Sequence, residues 1–149
     1  PGEIQMIVDN KLRLGDMGER IVANYLNEKD CKVKLSTDPY DSKKDMRVDG
    51  KTCEVKTQVP YVFKDGFTIK PNQLPKCLDA DHFLIVQAPC TRLDKAAIWS
   101  IREGFKYELI KTKDGREMIL IPWDQETVVK KMDIVGKDKD LLRTYATEF

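Results

Sequence analysis

The stretch that decides the fold is Asp45-Met46-Arg47-Val48-Asp49-Gly50-Lys51-Thr52-Cys53-Glu54-Val55-Lys56. An Asp-Gly pair in strand-like surroundings signals a two-residue hairpin, because both residues tolerate the positive φ of a type I′ turn. With Asp49-Gly50 as the turn, Val48 pairs with Lys51. The same register sets Asp45 directly opposite Glu54, with Cβ atoms about 4.5–5.5 Å apart. Alternation then places Asp45, Arg47, Thr52, Glu54 and Lys56 on one face, and Met46, Val48, Cys53 and Val55 on the other. Two directly opposed acids ordinarily destabilise a sheet, and their pairing makes sense if a cation sits between them. Oxygen ligands at this density suit Mg²⁺ or Mn²⁺. Lys56 is then placed to orient an attacking water or to stabilise charge developing on a phosphate. An ordinary solvated hairpin face, with Arg47 and Lys56 offsetting the acids, accounts for the same pattern equally well on geometry alone.

Working outward, Gly18, Ile21, Val22, Tyr25 and Leu26 follow helical spacing, which predicts a helix over Asp16 to Asn27. Asp16 and Glu19 have the spacing of a capping box at its start. Cys31 to Leu35 alternates as a half-buried strand. Asp65-Gly66 and Asp114-Gly115 are two further two-residue turn signals. A short helix is predicted over Asn72 to Ala80, with Pro75 in its first turn. His82 to Val86 reads as a central buried strand and Ala96 to Ile101 as its neighbour. Phe105 to Trp123 predicts a hairpin, Gln125 to Ile134 a helix, and Gly136 to Phe149 a charged appendage that starts as a solvated linker. The order predicts a single α/β domain over 1–149, a central mixed sheet flanked by helices.

A length of 149 residues fits one domain, and a 41% hydrophobic share suffices for a core. Twenty-six basic residues against 25 acidic ones leave a net charge of +1, which argues against coating a polyanion by bulk charge but permits a local patch. Lys43, Lys44, Arg47 and Lys56 form such a cluster around the acids, and Lys64, Lys70 and Lys76 add charge further on. Asn72 and Gln73 are placed either to donate to a backbone phosphate or to cap the short helix. Cys31, Cys53, Cys77 and Cys90 lack close spacing, and His82 is the one histidine, so no zinc motif arises and reduced buried thiols are expected. His82 reads as an edge or packed residue, Trp99 as core, and Trp123 as a surface aromatic. No apolar stretch is long enough to span a membrane, and the Pro1-Gly2-Glu3-Ile4 start lacks signal-peptide character, so an intracellular location is expected.

Asp45 followed by Glu54-Val55-Lys56 resembles the Asp…Glu-x-Lys signature of the PD-(D/E)xK nuclease superfamily, the restriction-endonuclease-like fold. Leu14-Gly15-Asp16-Met17-Gly18-Glu19-Arg20 is similar to the Gly…Glu-Arg helix preceding the core in many members, archaeal Holliday-junction resolvases among them. The resemblance covers about 10–102. Lys44 stands where the signature has proline, and about 103–149, a β-hairpin and helical appendage, has no counterpart. What the resemblance implies is a restriction-endonuclease-like core performing Mg²⁺- or Mn²⁺-dependent hydrolysis of DNA phosphodiester bonds. Asp45, Glu54, the Val55 carbonyl and Glu19 would hold metal, and Lys56 would position or activate the water. Gln58 matches a polar residue on the same strand face, for orienting Lys56 or contacting phosphate. Junction-resolving or repair endonucleases, restriction or homing endonucleases and end-processing exonucleases share such a core. The expectation here is an endonuclease acting as a homo-oligomer, since one site cuts one strand. A catalytically silent DNA-binding or assembly domain is the alternative.

Overall fold

Two successive residues with positive φ, Asp49 at 51° and Gly50 at 81°, close the hairpin that the Asp-Gly pair announces. The computed structural model describes residues 2–35 and 46–146. In chain order the elements are α1 (Gly2–Glu28), β1 (Val33–Lys34), β2 (Met46–Val48), β3 (Lys51–Gln58) and β4 (Gly66–Ile69). A 3₁₀ turn (Pro71–Gln73), α2 (Leu74–Asp79), β5 (His82–Gln87) and β6 (Ala96–Ile101) follow. The chain continues with β7 (Glu108–Lys111), β8 (Glu117–Pro122), β9 (Val128–Ile134) and α3 (Gly136–Ala146).

The central sheet has the order β1-β2-β3-β5-β6-β9. Met46 faces Cys53 and Val48 faces Lys51, the register the turn dictates. β3 and β5 run parallel; the other neighbours in this sheet are antiparallel, so the sheet is mixed, as expected of an α/β domain. A parallel pair needs a crossover, and this one carries β4 and α2. β4, β8 and β7 form a second, three-stranded sheet.

Each face of the central sheet has its own core. On one, Cys53, Leu84, Val86 and Ile98 pack with Leu14, Ile21 and Val22 of α1 and with Leu142 and Ala146 of α3. Gly18 makes this approach close: a Cβ there would lie 2.8 Å from the Thr57 Cβ, a clash no Thr57 rotamer relieves. On the other face, Phe83, Ile85 and Ile101 pack with Cys77 of α2 and with Phe67, Ile69, Ile119 and Ile121 of the small sheet.

Several expectations are corrected. The first helix starts at Gly2, so Asp16 is interior and caps nothing. Met6 and Leu12 in its earlier half are exposed, off the face that Leu14, Ile21 and Val22 bury. The strand after it is only Val33–Lys34. Asp65-Gly66 ends a longer turn bridged from Tyr61 to Gly66. Asp114-Gly115 lies in a three-residue loop in which the Thr112 N–H donates to the Arg116 carbonyl at 2.9 Å, with Gly115 at φ 84°.

Gln125 to Ile134 contains strand β9, not a helix. Trp99 pairs with Lys130 and Ile98 with Met132, which leaves Lys131 as a bulge. Val128 therefore joins the small-sheet core while Met132 and Ile134 join the helix-side core. That switch of face breaks the period of two. Residues 136–146 form α3, and Leu142 is fully buried, so this segment is core rather than appendage or linker. Arg143 and Lys139 both pair with Asp94, and hydrogen bonding from Arg143, more than any other contact, holds the Asp94 carboxyl below its usual range. Trp123 packs edge-on against Phe67 at 5.6 Å instead of lying free on the surface. Among the described residues no helix is long and apolar enough to cross a membrane.

Candidate functional site

Among the described residues Glu54 is one of two buried polar side chains, at 7% exposure, because it lies on the β3 face that α2 and the small sheet cover. A carboxylate so placed needs partners. The Lys56 Nζ lies 3.1 Å from Glu54 Oε1, and the Lys76 Nζ 3.7 Å from Oε2. Lys56 also donates to Gln73 Oε1 at 2.7 Å. β3 supplies the acid and the first lysine two residues apart on one face. The 3₁₀ turn supplies Gln73, and α2 supplies the second lysine.

The floor beneath them is apolar, since Phe83 stands beside Glu54 and Ile85 beside Lys56 on β5. Among the described residues one carboxylate meets two ammonium groups here. Cys77 completes the wall: burial pushes its thiol up to about 11, against the downward pull of Lys56 and Lys76. On the opposite face, burial and then the Glu54 charge push the Cys53 thiol up to about 12. Gln58 closes the row. Its Oε1 accepts from the Thr68 N–H at 3.3 Å, tying β3 to β4, while its Nε2 is buried with no hydrogen-bond partner among the described residues.

Of the expected site residues, Glu54, Lys56 and Gln58 share one face of β3, and Gln73 joins them through Lys56. Neither Asn72 nor Gln73 caps the helix with its side chain, and Asn72 is exposed. Arg47 is exposed opposite Thr52, on the Glu54 face but nearer the turn. Glu19 is half-buried on α1, next to the Gly18 that abuts Thr57, so it approaches β3 from the other side of the sheet. Val55 belongs to the helix-side core through its side chain. Asp45, Lys43 and Lys44 lie outside the described residues, as does the pairing of Asp45 with Glu54. His82 opens β5, exposed.

Lys76 is the member that sequence reasoning counts only as added charge. The available signal is the parallel pairing of β3 and β5, since the helix of that crossover must lie over one of their faces. The residues present fit a divalent cation in kind, because Glu54 offers hard carboxylate oxygens. The orphaned Gln58 amide fits a phosphate oxygen beside it. Among the described residues no three His, Cys, Asp or Glu side chains gather, and the expected acid pair includes Asp45, which is not among them. No family model, curated protein or solved structure matches the chain.

Proposed function

We propose that this chain is a metal-dependent DNA endonuclease with a restriction-endonuclease-like fold, acting as a homo-oligomer. The observation that carries the reading is the buried Glu54 ion-paired at 3.1 Å to Lys56, two residues further along the same strand face. The fold part of the reading is supported by a helix before the meander and by strand β5 beside β3 in a mixed sheet.

Glu54, Asp45 and the Val55 carbonyl would hold Mg²⁺ or Mn²⁺, and Glu19, which α1 brings to β3 from the opposite face, would lie outside that set. When bound, such a cation polarises the scissile phosphate and makes water a better nucleophile. Lys56, steadied by Gln73, orients the attacking water. Lys76 adds positive charge where the phosphate gains negative charge, and the free Gln58 N–H meets a phosphate oxygen. Lys43, Lys44, Arg47 and Asn72 would contact the DNA backbone.

A second reading, a catalytically silent DNA-binding or assembly domain, is favoured by one observation. Both Glu54 oxygens already face ammonium groups, which neutralises the carboxylate without a metal. Incubation with Mg²⁺ or Mn²⁺ and a panel of duplex, nicked, branched and single-stranded DNAs separates the two. The nuclease reading expects products with metal, none in EDTA, and none from Glu54→Gln. The silent reading expects DNA affinity indifferent to Mg²⁺ and no products on any substrate.

A further inference from the structure

Outside the Glu54 site, three loops converge on one exposed aromatic ring. Phe63 is 55% exposed in the turn that follows β3. The Arg92 guanidinium, from the β5–β6 connection, lies 4.6 Å from its centroid. The Lys113 ammonium, from the β7–β8 turn, lies 5.1 Å from it. Tyr61 stands edge-on at 5.7 Å.

Among the described residues neither cation is neutralised by a carboxylate. Asp94, two residues from Arg92, is taken by Arg143 and Lys139, and Asp114, next to Lys113, is taken by Arg116. Among the described residues no carboxylate pairs with Arg92 or Lys113. The loops are also fixed. The Tyr61 N–H donates to the Gly66 carbonyl at 2.8 Å, Cys90 and Leu93 exchange backbone hydrogen bonds, and the Gly115 N–H donates to the Thr112 carbonyl. An exposed ring with two cations over it, neither paired with a carboxylate among the described residues and all held on braced loops, matches in chemistry a partner that is flat and anionic.

We propose that Phe63, Arg92 and Lys113 form a docking surface for single-stranded DNA, an unpaired base stacking on the ring as the cations that lie over it swing out to the flanking phosphates. A duplex offers phosphates but keeps its base faces stacked, so the ring selects unpaired strand. An acidic peptide would satisfy the cations and leave the ring unused. The choice of DNA over other nucleic acid rests on the nuclease reading above, and it deepens that reading by naming the substrate feature held.

Fluorescence anisotropy of the full chain in EDTA, with labelled oligothymidylate of about twenty nucleotides and a duplex of equal length, tests this. Phe63→Ala is expected to weaken oligothymidylate binding on the order of ten-fold and Phe63→Trp to restore it, with duplex binding unmoved by either. Arg92→Gln with Lys113→Gln is expected to lower the slope of log affinity against log salt by about 1.4. Oligothymidylate binding by Phe63→Ala at wild-type strength overturns the surface, and so does equal loss on duplex. Competition by polyglutamate as strong as by oligothymidylate makes it an acidic-peptide site and overturns it too. A chain that cuts DNA with Mg²⁺ yet shows no Phe63 effect overturns this surface alone. A Phe63-dependent binder that cuts nothing overturns the nuclease reading alone.

Discussion

Alternate residues of β3 meet opposite environments. Cys53, Val55 and Thr57 turn towards α1, where side chains pack closely enough that only glycine fits at position 18. Glu54, Lys56 and Gln58 turn towards α2 and the small sheet, where the contacts are ion pairs and hydrogen bonds over an apolar floor. The difference shows how an eight-residue strand carries two tasks. The period of two assigns odd positions to the close-packed core and even positions to the polar cluster, and the packed odd face fixes the backbone from which the even side chains reach.

The sharpest way to break that division is to remove Lys56. Lys56→Ala is expected to lower single-turnover DNA cleavage about 10²–10⁴-fold, the range for a group that manages a proton or a water in the transition state. Its melting temperature is expected to fall only partway, because the buried Glu54 loses its nearer partner but keeps the Lys76 ammonium 3.7 Å away, and Gln73 can turn to water. A collapse in melting temperature alongside the loss of cleavage would make the even face structural as well.

The odd face is broken through α3. Leu142 is fully buried against the helix-side core, so Leu142→Ala is expected to cost about 2–5 kcal/mol. A urea midpoint that stays put would return residues 136–146 to the status of an appendage.

How much of this was legible depends on where the pattern is local. The β2–β3 hairpin and its faces follow from Asp49-Gly50 alone, because a two-residue turn fixes every pair beyond it. His82 to Gln87 is legible as a central strand because both its faces are covered. β9 is not, since a bulge at Lys131 moves its apolar residues from one core to the other and leaves Val128, Val129 and Met132 at spacings that mimic a helix. α3 is hidden by its charged start, Lys137 to Asp140, which precedes a single buried leucine. At the site, Glu54 and Lys56 are legible from alternation. Lys76 and Gln73 reach them only through the crossover, which no local pattern encodes.

The finest comparison uses one thiol on each face. Both Cys53 and Cys77 are held protonated well above a thiol's usual value near 9, at about 12 and about 11. Below about pH 9 folded and unfolded chains both keep these protons, and neither thiol makes stability depend on pH. Above it the unfolded chain releases protons that the folded chain retains. Stability therefore falls as pH rises, levelling off through Cys77 near pH 11 and through Cys53 near pH 12. Urea midpoints of Cys53→Ala and Cys77→Ala, followed against pH, are expected to fall less steeply than wild type. Ionisation of tyrosines and of lysines remote from the two thiols is common to all three proteins and cancels in the difference. Above about pH 11 only Cys53→Ala should continue to diverge from wild type, because Cys77 sits beside Lys56 and Lys76, whose charges favour its thiolate. Equal behaviour of the two variants to the top of the range would mean that those ammonium charges do not reach Cys77, and that the two faces of β3 hold their thiols alike.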